Sequence, residues 1–302
     1  MDMTDMTRAA VSRRHFLQLA GAGMLALTGT ALAGCGNSTS GEGSDKGSKL
    51  AAIKSRGHLN AGVKKDVPGY GYYDTAKGRF EGMEVDLCYQ IAAAVFGVSY
   101  KEARAQELVE FTDVTPKTRG PLIDNGQLDV VAATYTITDE RKKAVDFSSS
   151  YYNDSQSVVV KKDSKFANAT KVSDLKDATV GVMVGTLAYD YAKANIKDDI
   201  QTFNDDAALA QALDAGQIDA LVTSTVECVY MVQSEQVKDA KVLGRLPDSE
   251  DKSGMGIVLP KDSKLTAAVT KAVDDLNADG TIKKLQDKWL AEYTTDLTEL
   301  KK

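Results

Sequence analysis

An eight-residue segment occurs twice in this chain, ninety residues apart, and it limits the folds that the chain can adopt. The first copy, residues 124–131, reads DNGQLDVV, and the second, residues 214–221, reads DAGQIDAL. Each copy has the pattern of a helix end, a glycine turn and a buried strand. The repeat predicts two similar α/β lobes, with a common helix-to-strand turn used twice as the alternative.

Strand-like and helix-like segments alternate along the rest of the chain. The short apolar segments that predict strands are residues 59–63, 128–133, 157–160, 179–184, 220–222 and 256–259. Apolar spacing predicts helices over residues 50–55, 84–96 and 265–276, and a last helix that carries Ile282, Leu285 and Trp289. This alternation is typical of α/β layers with mostly parallel sheets.

Two hydroxyl residues, Thr134 and Ser224, follow the two repeated strands. Ligands of open α/β sheets bind beyond the carboxyl ends of the strands. Two such lobes facing each other would therefore hold a ligand between them, with Thr134 and Ser224 near opposite walls.

Composition excludes several classes of function. The 302 residues include 37 Lys and Arg and 43 Asp and Glu, which gives a net charge of −6 and argues against nucleic-acid binding. Only His15 and His58 are histidines, so a Ser-His-Asp triad or a multi-histidine zinc site has little material. We therefore predict no cofactor and no metal site.

Residues 1–34 have the pattern of a bacterial secretory signal, with a basic start and a weakly apolar stretch over residues 17–33. Residues 12–17, SRRHFL, resemble the twin-arginine export motif, and residues 32–35, LAGC, match the lipobox. We expect Cys35 to be lipidated, the alternative being a removable signal before an unmodified cysteine. Residues 35–48 predict a flexible tether, so the protein would be anchored on the outer face of the cytoplasmic membrane.

Two further cysteines, Cys88 and Cys228, lie on apolar helical stripes. A small buried thiol is the usual explanation of such a position, and we expect both to be buried and free. A disulfide stays an alternative, since export would make one possible.

The segment over residues 132–148 concentrates polar groups at the end of a strand. Thr138 predicts a helix N-cap, and Arg141 follows in the first helical turn. A guanidinium in such a strand-loop-helix unit is suited to a bidentate grip on a carboxylate. The alternative is an ordinary ion pair between Arg141 and Asp139 or Asp146.

These segments resemble the polar-amino-acid-binding proteins of bacterial ABC importers, a family that includes glutamine- and glutamate-binding proteins. The resemblance covers roughly residues 50–292 and is carried by residues 82–87, 122–131, 136–147, 180–186 and 284–289. It implies a two-lobed, type II periplasmic-binding-protein-like fold, with a two-strand hinge near residues 151–155 and 251–254. Residues 49–151 and 254–302 would form the first lobe and residues 152–253 the second.

The resemblance also implies the site residues at the ligand's α-carboxylate. Arg141 corresponds to the residue that binds this carboxylate, helped by Thr136. Gly185 and Thr186 correspond to the contribution of the second lobe, which offers amide groups at the start of a helix.

The resemblance further implies that two basic residues, Lys64 and Arg119, contact the ligand's side chain. They correspond to basic positions in members that bind acidic ligands, and two cations near one cleft would hold a second carboxylate. The resemblance thus favours glutamate or aspartate over glutamine, with solvated surface charges as the alternative.

The sequence departs from the family at Ser224, where members usually have an aspartate that pairs with the ligand ammonium. Ser224 and Glu227 instead match the capping-box pattern at a helix start. Glu227 could also approach the ammonium. An amine-free dicarboxylate, or an amino acid held through water and hydroxyls, stays open as the ligand.

The leading hypothesis is a monomeric solute-binding lipoprotein that delivers an acidic or polar amino acid to the permease of an ABC importer. It would perform no bond chemistry. Two alternatives stay open: a dehydratase-type enzyme on the same fold, and a sensor domain.

Overall fold

Two five-stranded sheets organise the computed structural model, which describes residues 49–294 and 296–302. The strands are β1 (Leu59–Val63), β2 (Asp66–Val67), β3 (Gly71–Asp74), β4 (Arg79–Glu81), β5 (Val109–Asp113), β6 (Val130–Val131), β7 (Val145–Tyr152), β8 (Gln156–Lys161), β9 (Val180–Met183), β10 (Gln201–Phe203), β11 (Ala220–Ser224), β12 (Ala240–Arg245) and β13 (Met255–Pro260). The predictions for residues 1–48, including the signal, Cys35 and the tether, lie outside the described residues.

The helices separate these strands along the chain. They are α1 (Lys49–Arg56), α2 (Met83–Phe96), α3 (Tyr100–Ala105), α4 (Arg119–Asp124), α5 (Leu187–Asn195), α6 (Asp206–Asp214), α7 (Thr225–Gln233), α8 (Leu265–Ala278) and α9 (Thr281–Trp289), with 3₁₀ turns at Arg141–Lys143 and Val172–Leu175. Within the described ranges, none of these helices has the length and apolarity needed to cross a bilayer.

The strand order is β5-β1-β6-β13-β7 in the first sheet and β10-β9-β11-β8-β12 in the second. In each sheet the second strand in this order, β1 or β9, runs parallel to both of its neighbours. The two pairings at the other end of each sheet are antiparallel, so the expectation of mostly parallel sheets is wrong. The chain passes between the two sheets through short links at residues 153–155 and 246–254. The strands next to these links pair in antiparallel fashion, because parallel neighbours would need a long crossover connection.

We call residues 49–152 and 255–294 lobe 1, and residues 156–245 and 298–302 lobe 2. The apolar sides of α2, α8 and α9 pack on the first sheet, and α5, α6 and α7 pack on the second. Each lobe therefore has its own buried core. Cys88 in α2 and Cys228 in α7 are both free and fully buried, as predicted.

The two copies of the repeat have the same structure. Asp129 accepts a hydrogen bond of 2.8 Å from the amide of Asn60, and Asp219 accepts one of 2.8 Å from the amide of Thr179. Each aspartate thus ties the repeated turn to β1 or β9 of its own lobe, or to the residue just before it. This equivalence supports two similar lobes over a turn reused by chance.

The end of the chain differs from the prediction, which assigned residues 254–302 to the first lobe. Leu300 is buried in the core of lobe 2, and its amide donates to the carbonyl oxygen of Arg245 at 2.8 Å. The amide of Lys301 likewise donates to Thr170 at 2.9 Å. Residues 298–302 therefore belong to lobe 2, because β12 offers them an unpaired edge.

Candidate ligand-binding site

A cleft between the lobes brings together side chains from segments far apart in the sequence. Lobe 1 contributes Lys64, Arg119, Thr134, Thr136 and Arg141, and lobe 2 contributes Gln156, Thr186, Thr223, Ser224 and Glu227. The remaining cavity measures about 30 Å³, because the lobes contact each other directly across it. A larger depression of about 830 Å³ lies on the outside of lobe 1, but its arginines already have carboxylate partners.

Of the eight site residues that the sequence predicts, seven line this cleft, and Gly185 contacts Arg141 at its edge. The residues therefore meet in one place. Their individual roles toward a ligand stay predictions.

Two guanidinium groups lie against the ring of Tyr135. The guanidinium carbons of Arg119 and Arg141 are 3.7 Å and 4.7 Å from the ring centroid, within the range of a cation–π contact. Arg119 donates to the carbonyl oxygens of Ala133 and Thr134, and Arg141 donates to that of its own loop at Thr136, at 2.9 Å. Tyr135 therefore holds both cations on one side of the cleft.

Among the described residues, neither of these arginines has a carboxylate as a hydrogen-bond or ion-pair partner. Arg119 is only 1% exposed, and its Nε has no hydrogen-bond partner there. Burial lowers the pKa of Arg119 to about 10, and the positive charge of Arg141 adds to the effect. Burial also lowers the pKa of Arg141. A buried cation such as Arg119 is costly without a counter-ion, and Arg141 adds a second, partly buried positive charge, so this part of the cleft attracts anions.

The charge of Lys64 is balanced within the protein. Its ammonium group lies 2.8 Å from Glu227 Oε1 and 2.5 Å from Asp206 Oδ2. Burial by itself would lower the pKa of Lys64, but the two carboxylates raise it above its usual value. Burial and the neighbouring Glu227 raise the pKa of Asp206 to about 8. Lys64 therefore meets two acids of lobe 2, a pairing that the sequence does not indicate.

The predicted capping box at Ser224 forms only in part. Ser224 Oγ accepts a hydrogen bond of 3.4 Å from the amide of Glu227, as expected. The carboxylate of Glu227 does not return to the serine amide; it accepts from Lys64 and Thr223. This part of the prediction is wrong, because an ammonium group in a buried site attracts a carboxylate more strongly than an amide does.

Gly185 and Thr186 are the contribution of lobe 2 near the start of α5. Thr186 is the N-cap of α5, and its hydroxyl accepts from the amide of Tyr189 and donates to Met183. Gly185, in the left-handed region at φ 77°, presents its carbonyl oxygen to Arg141 Nη2 at 2.9 Å. Gly185 therefore accepts from Arg141 through its carbonyl oxygen, and the donation of its amide to a ligand stays a prediction.

Glu84 positions the strand end of lobe 1, and the sequence analysis missed it. Its Oε1 accepts from the amide of Thr134, at 2.6 Å, and from the hydroxyl of Tyr151. The Thr134 backbone has a positive φ of 47°, which the bond to Glu84 helps to hold. The signal was an acidic residue among the apolar positions of α2, where it is fully buried. Asp206 and Tyr135 are also absent from the site residues that the sequence predicts. The residues around Asp206 give no local indication of its contact with Lys64.

A family model described as bacterial extracellular solute-binding proteins, family 3, matches residues 59–292. The ABC transporter glutamine-binding protein GlnH of Bacillus subtilis is 32% identical over 265 residues, covering 86% of this chain and 92% of that protein. The glutamate-binding protein GluB of Corynebacterium glutamicum is 29% identical over 286 residues, covering 92% of this chain and 91% of that one.

A solved structure with a similar fold is that of the ancestral amino acid-binding protein AncCDT-1, a precursor of cyclohexadienyl dehydratase. It has a TM-score of 0.68 and 30% sequence identity, and the match covers 80% of this chain and 100% of that chain. The type II periplasmic-binding-protein-like fold that the resemblance implies is therefore confirmed.

Proposed function

Because the chain belongs to the bacterial extracellular solute-binding proteins of family 3, we propose that it captures an acidic amino acid and delivers it to an ABC importer. The observation that carries the ligand class is the pair of guanidinium groups on Tyr135 that have no carboxylate partner in the described part of the chain. Glutamate and aspartate bring two carboxylates, one for each arginine, and charge-assisted bonds to guanidinium are strong in a buried site.

The other side of the cleft suits the ligand's ammonium group. Glu227 lines the cleft, and Ser224 adds a hydroxyl at the position where the resemblance leads us to expect an aspartate. Lys64 is shared by two carboxylates, so this cluster has one negative charge in excess when both acids are ionised. The ligand's ammonium group, bound at Glu227, would balance this negative charge, while Lys64 would stay paired with Asp206. The charges of the cleft thus complement those of an acidic amino acid.

Binding in this proposal works by a change of conformation and needs no bond chemistry. The lobes would rotate about the links near residues 151–155 and 251–254, and a ligand that contacts both lobes favours the closed state. Gly254 lies in the second link, where only glycine fits: its φ is 73°, and a Cβ there would lie 1.8 Å from Ser150 Oγ. We propose that the protein acts as a monomer on the permease subunits.

We further propose that Cys35 carries a lipid, which would hold the protein on the outer face of the cytoplasmic membrane. Mass spectrometry of membrane-extracted protein should show a diacylglyceryl group on Cys35, and a Cys35→Ala variant should be lost from the membrane fraction. A soluble product cleaved at another residue would contradict this proposal.

A thermal-shift panel tests the ligand class. The full chain is mixed with the twenty amino acids, 2-oxoglutarate and succinate, and a ligand that binds the folded state raises the melting temperature. We expect the largest rise with glutamate or aspartate. A larger rise with glutamine would contradict the acidic class, and one with 2-oxoglutarate would favour an amine-free ligand. In a separate activity assay, turnover of a carbocyclic acid would favour a dehydratase.

A further inference from the structure

A buried ion cluster joins the two lobes behind the cleft. Lys64 directly follows β1 of lobe 1, whereas Asp206 begins α6 and Glu227 lies in the first turn of α7, both in lobe 2. Their exposed fractions are 2%, 1% and 3%. The cluster therefore exists only while the lobes are together, since separating them would part Lys64 from both acids.

The charges of the cluster are unequal in the two lobes. Lobe 2 contributes the carboxyl groups of Asp206 and Glu227, and lobe 1 contributes the ammonium group of Lys64, which lies within 2.8 Å of both. Asp206 Oδ1 is buried and has no hydrogen-bond partner in the described part of the chain. Burial beside Glu227 favours the protonated form of Asp206, so Glu227 carries the negative charge of this pair. A lobe that closes over this carboxylate without a cation would bury an unpaired charge, which is strongly unfavourable.

We infer that Lys64 is a positioning residue for closure: its ammonium group pairs with Asp206 and Glu227 across the lobes and thereby allows the lobes to close. The inference rests on the proposed closing motion but does not depend on which ligand binds. It assigns Lys64 a role in the conformational equilibrium, where the sequence predicts a direct contact with the ligand's side chain.

Lobe separation can be measured without any ligand. Spin labels are placed on Lys117→Cys at the rim of lobe 1 and Lys193→Cys on α5, two exposed positions, in a full-length chain that carries Cys35→Ser. The native Cys88 and Cys228 are fully buried and should not take the label. Pulsed electron paramagnetic resonance then gives the distribution of distances between the two labels, and thus between the lobes.

We expect the protein with an unsubstituted cluster to show a population with a short distance between the two labels. Lys64→Met should move most of that population to distances several ångströms longer. Lys65→Met is the matched control, because Lys65 pairs with Asp113 of its own lobe in an exposed ion pair. It should leave the distribution unchanged. Glu227→Gln in the Lys64→Met background should restore part of the short-distance population, since the charged carboxylate of the pair is then absent.

Circular dichroism and melting curves establish that each variant is folded. An unchanged distance distribution in folded Lys64→Met would overturn the inference, as would a fully open protein with Lys64 in place. A failure of Glu227→Gln to restore any closed population in the Lys64→Met background would overturn the charge argument. None of these outcomes bears on whether glutamate is the ligand, which the panel of ligands decides separately.

Discussion

Arg141 and Gly185 face each other across the cleft, with 2.9 Å between Arg141 Nη2 and the glycine carbonyl oxygen. Arg141 lies in lobe 1 and Gly185 precedes α5 of lobe 2. A carboxylate bound by this guanidinium would therefore also lie next to the start of α5, where amide groups and the helix dipole favour an anion. If Arg141 binds the ligand as we propose, one arginine connects ligand binding to the contact between the lobes.

Replacing Arg141 should nearly abolish binding. Loss of a buried, hydrogen-bonded charge pair typically costs about 2–5 kcal/mol, whereas an exposed arginine contributes less than about 1 kcal/mol. The fold should persist, because within the described part of the chain the hydrogen bonds of the Arg141 side chain go to the carbonyl oxygens of Thr136 and Gly185. Calorimetry on Arg141→Ala, with the exposed neighbour Lys142→Ala as control, measures the effect; a loss below tenfold would contradict the role.

Arg119→Met should separate stability from binding. The side chain is 1% exposed and has no carboxylate partner among the described residues, so removing its charge relieves a desolvation cost. Replacing buried charge with apolar volume often stabilises by about 1–4 kcal/mol. We expect a higher melting temperature without ligand and much weaker binding of glutamate. A variant that melts lower and binds glutamate normally would contradict both expectations.

Ser224→Asp tests how the ligand's amino group is held. For an α-amino acid, the new carboxylate supplies a short ion pair to the ammonium, at some cost from repulsion with Glu227, and we expect tighter binding of glutamate. For an amine-free dicarboxylate such as 2-oxoglutarate, the same change places an anion against an anion and should weaken binding. Titration of both ligands into both proteins decides between them. Weaker glutamate binding by the folded variant would count against an amino-acid ligand.

Asp154, in the link between β7 and β8, should make stability depend on pH. Burial raises its pKa from 3.8 to about 7, although it accepts from the amide of Ser155 at 2.7 Å. The folded state therefore binds this proton more tightly than the unfolded state does. The stability that this group contributes is complete below pH 3.8 and is lost as the pH rises through 7.

The variant Asp154→Asn keeps an acceptor for Ser155 but cannot ionise. It should melt at a higher temperature than the parent at pH 8, and the difference should disappear near pH 4. The exposed Asp163→Asn serves as control, with no such pH-dependent gain. A constant difference between the Asp154 variant and its parent from pH 4 to pH 8 would contradict the shifted pKa.

Much of the fold could be predicted because its signals are local. The helix predicted over residues 84–96 is Met83–Phe96 and ends at Gly97, whose φ of 70° suits glycine. The predicted strand over residues 59–63 has those bounds in the structure. The strand predicted over residues 128–133 is only Val130–Val131, since the chain turns at Thr134 into a left-handed conformation that its residue type does not announce.

The site could be predicted as a set of positions, but its pairings could not. Glu227 satisfies a local capping pattern, and only the approach of Lys64 from the other lobe draws its carboxylate away. Asp206 follows the N-cap Asp205 and has no local mark of its partner. The shared ring of Tyr135 likewise requires that Arg119 and Arg141 converge. These contacts depend on long-range folding, which residue patterns do not encode locally.

The central claim is that two guanidinium groups select a ligand with two carboxylates. Titration calorimetry of L-glutamate and L-glutamine into the unaltered protein and into Arg119→Met tests it most directly. We predict that the unaltered protein binds glutamate at least tenfold more tightly than glutamine, and that Arg119→Met loses most of this preference because the second carboxylate loses its partner. Equal or tighter binding of glutamine by the unaltered protein, or a preference unchanged in Arg119→Met, would contradict the claim.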